Sequence, residues 1–272
     1  MLPSALMGKT HLPLCVYGTL LTWLVTGCAA VYPEVQTPLR DAKTLEPPPP
    51  KDMYWIGFKS GDVPEKTRDG RDWQELGSKL PDPFAVLFVN GKELIRTNVQ
   101  TSTLHATWDG SPKGNFRIQP SDRLRVEMWE SGLVSRPLCV RDMRGEEDDW
   151  VAVKQISVDC EGGARVVISW EPAHGRGGYG FYYEHRTQSV FVTRVFEESP
   201  AARAGIKGGD EIQRFGDRVA RDMQPPEVQS YMSAPKAEGV KLTVKKSYGS
   251  VREVELKEGA VYPLFSEIGP VP

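Results

Sequence analysis

The chain lacks the features that mark several large classes of protein. Its 272 residues carry 34 Lys and Arg against 36 Asp and Glu, so the basic excess of a typical nucleic-acid-binding protein is absent. No apolar run reaches the roughly 18 residues of a membrane-spanning helix with clean flanks. We therefore expect no nucleic-acid partner and no membrane-spanning helix.

Motifs of common enzymes are also missing. The chain contains only four His, and none of them stands in a His-Glu-x-x-His zinc motif. There is no phosphate-binding loop and no Gly-x-Ser-x-Gly elbow. Residues 110–114 approach the elbow spacing, but Pro112 after Ser111 disfavours the helix that an elbow requires. The sequence predicts a protein that is not an enzyme.

Glycine and proline, by contrast, are abundant, with 26 and 22 residues. Such a composition favours a turn-rich β protein with linkers over a helical bundle. A length of 272 residues allows one to three domains.

The N-terminus resembles a secretory signal. Lys9 precedes a short apolar stretch over residues 12–26, which matches the basic start and apolar core of a signal peptide. We assign residues 1–27 to this signal, which implies an exported protein.

Cys28 follows the small residues at the end of that stretch, and the sequence there resembles the lipobox of bacterial lipoproteins. The resemblance implies that Cys28 becomes the first mature residue and carries acyl chains such as palmitate, which anchor the protein to a membrane. Ala29 in the next position favours the outer membrane of the bacterial cell envelope. The alternatives are an ordinary signal peptide with a chance Cys, or a short membrane anchor.

Two of the four cysteines remain for the folded part. Cys15 leaves with the signal and Cys28 is the lipidation candidate, which leaves Cys139 and Cys160. In an oxidising compartment this pair predicts a disulfide. A metal site is the weaker alternative, because no His or further Cys stands at ligand spacing.

Residues 28–52 are polar and rich in proline, with four consecutive prolines at 47–50. Such segments form extended spacers, so we predict a tether between anchor and folded part. A Pro-rich ligand for another domain is the alternative.

Residues 53–173 have the pattern of a β-sandwich. The apolar run 84–89 stops at Asn90 and Gly91, which is a hairpin signal. Farther along, Leu124, Val126 and Met128 alternate with charged residues, as in a half-buried strand. Strands at about ten-residue spacing are typical of sandwiches.

This region resembles C2 domains. The matching stretches, in chain order, are Pro-Asp-Pro-Phe at 81–84, Thr-Leu-His-Ala-Thr-Trp-Asp at 103–109, Leu-Arg-Val-Glu-Met-Trp-Glu at 124–130 and Asp-Asp-Trp-Val at 148–151. The resemblance implies an eight-stranded antiparallel sandwich whose family commonly binds calcium and phospholipid through loop aspartates. The calcium ligands that it implies are Asp72, Asp82, Glu130, Asp148 and Asp149, with Asp69 as the alternative to Asp72.

That calcium site is incomplete in the sequence. Glu130 stands where the family usually has Asp, and Gly132 stands where the next loop Asp is expected. Calcium requires six to eight oxygen ligands. The alternative to a calcium cofactor is therefore a sandwich that keeps the fold without the metal.

Residues 174–259 resemble a PDZ domain, and 260–272 form a C-terminal tail. Ser-Pro-Ala-Ala-Arg-Ala-Gly at 199–205, followed by Gly-Gly-Asp-Glu-Ile at 208–212, is the stretch that carries the resemblance. The first part also has the pattern of a short helix with Ser199 as N-cap and Pro200 in the first helical position.

The resemblance implies a peptide-binding groove. Tyr179, Gly180 and Phe181 match the loop whose N–H groups bind a peptide's carboxylate. A ligand would add as a strand beside Phe181, Tyr182 and Tyr183, facing Val228 and Met232 on one helix face. Val228 and Met232 are equally consistent with core positions. The best-known class has a ligand-reading His at the start of that helix, where this chain has Pro225, Pro226 or Glu227, which favours an apolar or relaxed preference.

We therefore predict a mostly β protein, a C2-like antiparallel β-sandwich followed by a PDZ domain. The predicted function is a membrane-anchored interaction module with a protein or peptide partner in the PDZ groove. The alternatives are a calcium- and phospholipid-binding module, or a substrate-presenting subunit of an envelope protease or secretion system.

Overall fold

A computed structural model of the protein describes residues 32–73, 79–132, 134–144, 154–234 and 238–268. The predicted signal at 1–27, the lipidation candidate Cys28 and two predicted calcium ligands, Asp148 and Asp149, lie outside these residues. In the described part, strands dominate and pair antiparallel, which confirms the predicted mostly β class.

The first strands form two sheets that share one core. Their bounds are β1 (Glu34–Gln36), β2 (Met53–Asp62), β3 (Pro83–Val89), β4 (Lys92–Arg96), β5 (His105–Thr107), β6 (Lys113–Arg117), β7 (Arg123–Glu130), β8 (Arg136–Arg144), β9 (Gln155–Asp159) and β10 (Arg165–Pro172). One sheet has the order β5-β2-β10-β9, with β6 also paired to β2, and the other has the order β4-β3-β7-β8. β1 belongs to neither sheet.

Periodicity explains how these strands build the core. Leu124, Val126 and Met128 of β7 are fully buried, whereas Arg123 and Arg125 are exposed, since successive strand residues point to opposite faces. Glu127 departs from the predicted alternation, because it is buried and its carboxylate accepts hydrogen bonds from Arg125 and Trp129.

The hairpin predicted at Asn90 and Gly91 joins β3 to β4. Both residues have positive φ, 50° and 80°, as a type I′ turn requires.

The predicted disulfide is present. It joins Cys139 in β8 to Cys160 just after β9, with the two Cα atoms 5.3 Å apart. β8 and β9 are edge strands of different sheets, so the bond links the two sheets along one edge of the sandwich.

The C-terminal part contains a second sheet system with its own core. Its elements are β11 (Arg176–Gly178), β12 (Phe181–Arg186), β13 (Ser189–Val195), α1 (Pro200–Arg203), β14 (Glu211–Phe215), β15 (Arg218–Val219), a 3-10 turn (Ala220–Asp222), α2 (Pro225–Ser233), β16 (Val240–Lys245), β17 (Val251–Leu256), β18 (Gly259–Val261) and α3 (Phe265–Ile268). Its main sheet, called here the C-terminal sheet, has the order β1-β12-β13-β14-β16-β17, with β15 beside β14.

Side chains cap the first two helices of this part. The Ser199 hydroxyl accepts a hydrogen bond from the Ala202 N–H, and Pro200 opens α1, as the sequence predicts. At α2, the Gln224 N–H donates to the Glu227 carboxylate at 2.7 Å, which is half of a capping box. None of the helices among the described residues is long and apolar enough to cross a membrane.

Residues 28–52 are predicted to be an extended spacer. The structure describes this segment from residue 32 onward, and these residues differ from the prediction. Instead of standing free, they contribute β1 to the C-terminal sheet, and Leu45 packs against a small cluster with Met53 and Tyr262. The tail also packs, because β18 pairs with β11 and Phe265 contacts Phe116 of the sandwich with ring centroids 5.1 Å apart.

Candidate functional site

The predicted groove lies between the edge of β12 and the helix α2. Hydrogen bonds from α1 and its N-cap residue hold the loop that precedes β12. The Ala201 N–H donates to the Tyr179 carbonyl at 3.0 Å, and the Ser199 hydroxyl donates to the Gly180 carbonyl at 3.1 Å. Gly180 has φ +80°, and a Cβ there would lie 2.3 Å from the Cβ of Ser199. This position therefore requires glycine for its conformation and for its packing.

β1, from the chain's own N-terminal segment, occupies the edge of β12. It runs antiparallel, with Glu34 opposite Glu184, Val35 opposite Tyr183 and Gln36 opposite Tyr182. The sequence pattern predicts a spacer here and not a strand.

Thr37 continues the ladder at the loop end of the groove. Its N–H donates to the Phe181 carbonyl at 2.8 Å, and its hydroxyl accepts from the Phe181 N–H at 3.2 Å. The Thr37 side chain is completely buried. The N–H group that the sequence assigns to a ligand carboxylate thus binds a hydroxyl of the same chain.

Glu34 is held by side chains of β13. Its carboxylate accepts from the Thr193 hydroxyl at 2.6 Å and from the Arg194 guanidinium at 3.0 Å. The same guanidinium lies over the Tyr182 ring, 4.2 Å from its centroid. Burial raises the pKa of Tyr182, with Arg194 opposing that effect and Glu34 adding to it.

Arg40, at the C-terminal end of this segment, contacts the end of α2. Its guanidinium donates to the Ser233 carbonyl at the C-terminus of α2 at 2.6 Å and pairs with Glu258 at 3.0 Å. A cation is favoured there by the partial negative charge of a helix C-terminus. Residues 34–40 therefore contact both walls of the groove.

Most of the side chains predicted to contact a peptide belong to the core of the C-terminal sheet. Tyr179, Phe181, Tyr183, Val228 and Met232 are buried in one cluster, whereas Tyr182 is half-buried. Val35 of β1 packs against that cluster. The cluster is thus covered partly by the chain itself.

Burial also shapes the chemistry of Tyr179. Its hydroxyl has no hydrogen-bond partner among the described residues, and desolvation raises its pKa to about 12. The negative charge of Glu258 adds to this shift. The Tyr179 hydroxyl is therefore protonated at neutral pH.

The predicted calcium ligands are only partly brought together. Asp82 and Glu130 lie at one end of the sandwich, since Pro83 pairs with Glu130. Asp82 accepts from the Ser102 N–H at 2.6 Å, and Glu130 is 2% exposed. Asp72 is engaged by Lys66 and Lys79, and the hydrogen bond from Lys66 is the main reason for the lowered pKa of Asp72.

Asp148 and Asp149 lie outside the residues that the structure describes. Among the described residues, no three His, Cys, Asp or Glu side chains are grouped to hold a metal ion. The described residues do not fit a calcium site, and calcium binding stays a prediction.

Comparison with known proteins agrees with the architecture of the C-terminal part. A family model described as PDZ domain matches residues 191–246. No curated protein sequence matches the chain.

Among solved structures, the pair of C2 domains of Extended-Synaptotagmin 2 is 14% identical, with a TM-score of 0.36, and the match covers 52% of this chain and 49% of that one. The first C2 domain of plant Extended Synaptotagmin 1 is 13% identical, with a TM-score of 0.33, over 46% of this chain and 98% of that one. Human GIVD cytosolic phospholipase A2 is 12% identical, with a TM-score of 0.33, over 59% of this chain and 21% of that one. The match thus spans about a fifth of the phospholipase and about half of the Extended-Synaptotagmin 2 chain.

The described chain is thus mostly β with antiparallel sheets, and its C-terminal part contains a PDZ domain.

Proposed function

We propose that the protein is a membrane-anchored, non-enzymatic interaction module whose groove between β12 and α2 binds the C-terminus or an extended segment of a partner protein. The observation that carries this proposal is the edge of β12, which accepts an antiparallel strand over Glu34–Gln36. Strand addition of this kind gives affinity through main-chain hydrogen bonds and specificity through side-chain pockets.

The described histidines all make contacts within the fold. His105 pairs with Asp62 at 2.8 Å, the His174 ring stacks on Trp55, and His185 bonds the Met223 carbonyl at 2.8 Å. Each described histidine therefore has a structural partner, and none stands beside a serine or cysteine nucleophile in these contacts.

An acyl anchor on Cys28 would limit the distance between the membrane and the groove. Cys28 precedes Glu34 by six positions. Six extended residues span at most about 20 Å. While β1 is paired with β12, the groove would therefore stay close to the membrane surface of the bacterial envelope, which we propose to be the outer membrane.

The test is capture of partners by the full-length, anchored protein. We expect Met232→Lys, which places a charge in the buried cluster, to lose partners that the wild type captures. Gln229→Lys, on the exposed side of the same helix, is the matched control and should keep them.

Circular dichroism must show that Met232→Lys is folded. If this folded variant keeps every partner, recognition lies outside the groove and the proposal is wrong. Loss of the same partners from Gln229→Lys would also contradict it.

A further inference from the structure

We infer that residues 32–37, called here the resident segment, are an intramolecular ligand of the groove, and that partner peptides must carry the same recognition chemistry and displace it. The peptide class is an extended segment with an acidic residue three positions, and an aliphatic residue two positions, before a Thr or Ser. This inference rests on the proposed function and names its ligand.

The backbone contacts are those of a bound peptide. The segment runs antiparallel to β12 and approaches the loop before that strand with its C-terminal residue, Thr37. There it exchanges two hydrogen bonds with Phe181, one of them through the Thr37 hydroxyl. In a free peptide that ends at this position, a terminal carboxylate is the stronger acceptor for the same N–H group.

The side-chain contacts are selective. Thr37 is fully buried, Val35 packs against the core cluster, and Glu34 pairs with Arg194. The Tyr32 hydroxyl also bonds the Thr187 hydroxyl at 2.7 Å. A passive spacer requires none of these contacts, and those of Glu34, Val35 and Thr37 define the peptide class.

The resident segment is also short enough for a partner peptide to displace it from the groove. β1 has only three residues, of which Glu34 is exposed and Val35 and Gln36 are half-buried. Its hold on the groove comes largely from being part of the same chain, since a short linkage gives an effective concentration of about millimolar. A free peptide of micromolar affinity therefore competes poorly until the segment is weakened.

The probe is a labelled hexapeptide, Tyr-Pro-Glu-Val-Gln-Thr with a free C-terminal carboxylate, which copies the resident segment. Its binding to the full-length protein is measured by fluorescence anisotropy. Val35→Asp and Thr37→Pro weaken the resident segment, and Thr44→Ala, at an exposed position outside that segment, is the matched control. We expect the first two variants to bind the hexapeptide at least about tenfold more tightly than the wild type and the control.

Arg194→Glu tests the acidic position. In the Val35→Asp background it should prefer the peptide with Lys in place of Glu, whereas Arg194 should prefer the original peptide. Thermal melts show whether each variant is folded, and Thr37→Pro provides a second route if Val35→Asp does not fold.

Equal hexapeptide affinity in the folded variants and in the wild type would overturn the inference. An unchanged peptide preference after Arg194→Glu would overturn the acidic requirement. These results leave the proposed function intact if Met232→Lys still loses the partners captured by the wild type. Retention of those partners by folded Met232→Lys would instead contradict the proposed function itself.

Discussion

At the scale of single residues, Asp210 and Lys246 form an ion pair that is almost removed from solvent, with side chains 1% and 6% exposed. Asp210 also accepts the Lys207 N–H at 2.8 Å, and the Lys246 ammonium donates to the Gly205 carbonyl at 2.8 Å. The pair thus fixes the loop between α1 and β14 against the end of β16. The sequence marks Asp210 only as part of a turn, because the partner stands 36 positions away.

Removing one member of this pair should be costly. We expect Lys246→Met to lower the free energy of unfolding by about 3 kcal/mol, because it leaves the Asp210 carboxylate buried without its cation. Urea denaturation measures the change. Lys245→Met is the matched control, since its partly exposed pair with Glu211 at 3.4 Å should contribute at most about 1 kcal/mol. Equal destabilisation by the two substitutions would contradict the argument from burial.

At the scale of elements, the disulfide joins two strands that no backbone hydrogen bond connects. Because β8 and β9 are edges of different sheets, the bond holds the sandwich closed along one side. In the chain-entropy account, a disulfide between residues 21 positions apart raises the free energy of unfolding by about 3 kcal/mol.

We expect the double substitution Cys139→Ser and Cys160→Ser to lower the melting temperature by about 6 °C or more. Calorimetry of the full-length protein measures it, and the wild type in reducing buffer should approach the same value. An unchanged midpoint in both samples would show that packing alone holds the two edges together.

The longer strands and α1 can be predicted from the sequence, whereas β1 cannot. The longer strands follow from alternation, as at Leu124, Val126 and Met128, and α1 follows from the Ser199 cap. The sequence does not predict β1, because a strand of three residues is too short to show a period of two. The prolines on either side of it favour a spacer instead. Its strand conformation arises from pairing with β12, a tertiary effect that local propensity does not contain.

The groove illustrates the same limit. The sequence predicts a strand that opens at Phe181, and Phe181 is the first residue of β12. Gly180, just before it, has a positive φ. The packing of that glycine against Ser199, and the presence of a resident segment, depend on contacts between distant parts of the chain.

At the scale of the whole molecule, the sandwich and the C-terminal part are joined by a polar contact beside an apolar cluster. Asn115 of β6 donates to the carbonyls of His174 and Pro263 at 2.8 and 3.0 Å and accepts from the His174 N–H at 2.8 Å. Asn115 is only 2% exposed. The apolar cluster contains residues from both parts, namely Met53, Ala173, Ala260 and Tyr262.

This contact has consequences for the resident segment. The Tyr262 hydroxyl donates to the Pro47 carbonyl at 2.9 Å, and the Ala260 N–H donates to the Glu46 carbonyl at 3.0 Å. The N-terminal segment is therefore fastened to the junction of the two parts as well as to the groove. Release of residues 32–37 does not require release of residues 46 and 47.

We expect Asn115→Leu to uncouple the two parts. The substitution leaves the N–H and carbonyl of His174 and the carbonyl of Pro263 without their partner, and each such buried group costs about 1–3 kcal/mol. Scanning calorimetry should show one unfolding transition for the wild type and two for the variant, with the earlier one lowered. Asn98→Leu, at an exposed position of the sandwich, is the matched control and should unfold as the wild type does. A single transition with an unchanged midpoint in Asn115→Leu would mean that the apolar cluster alone is sufficient to couple the two parts.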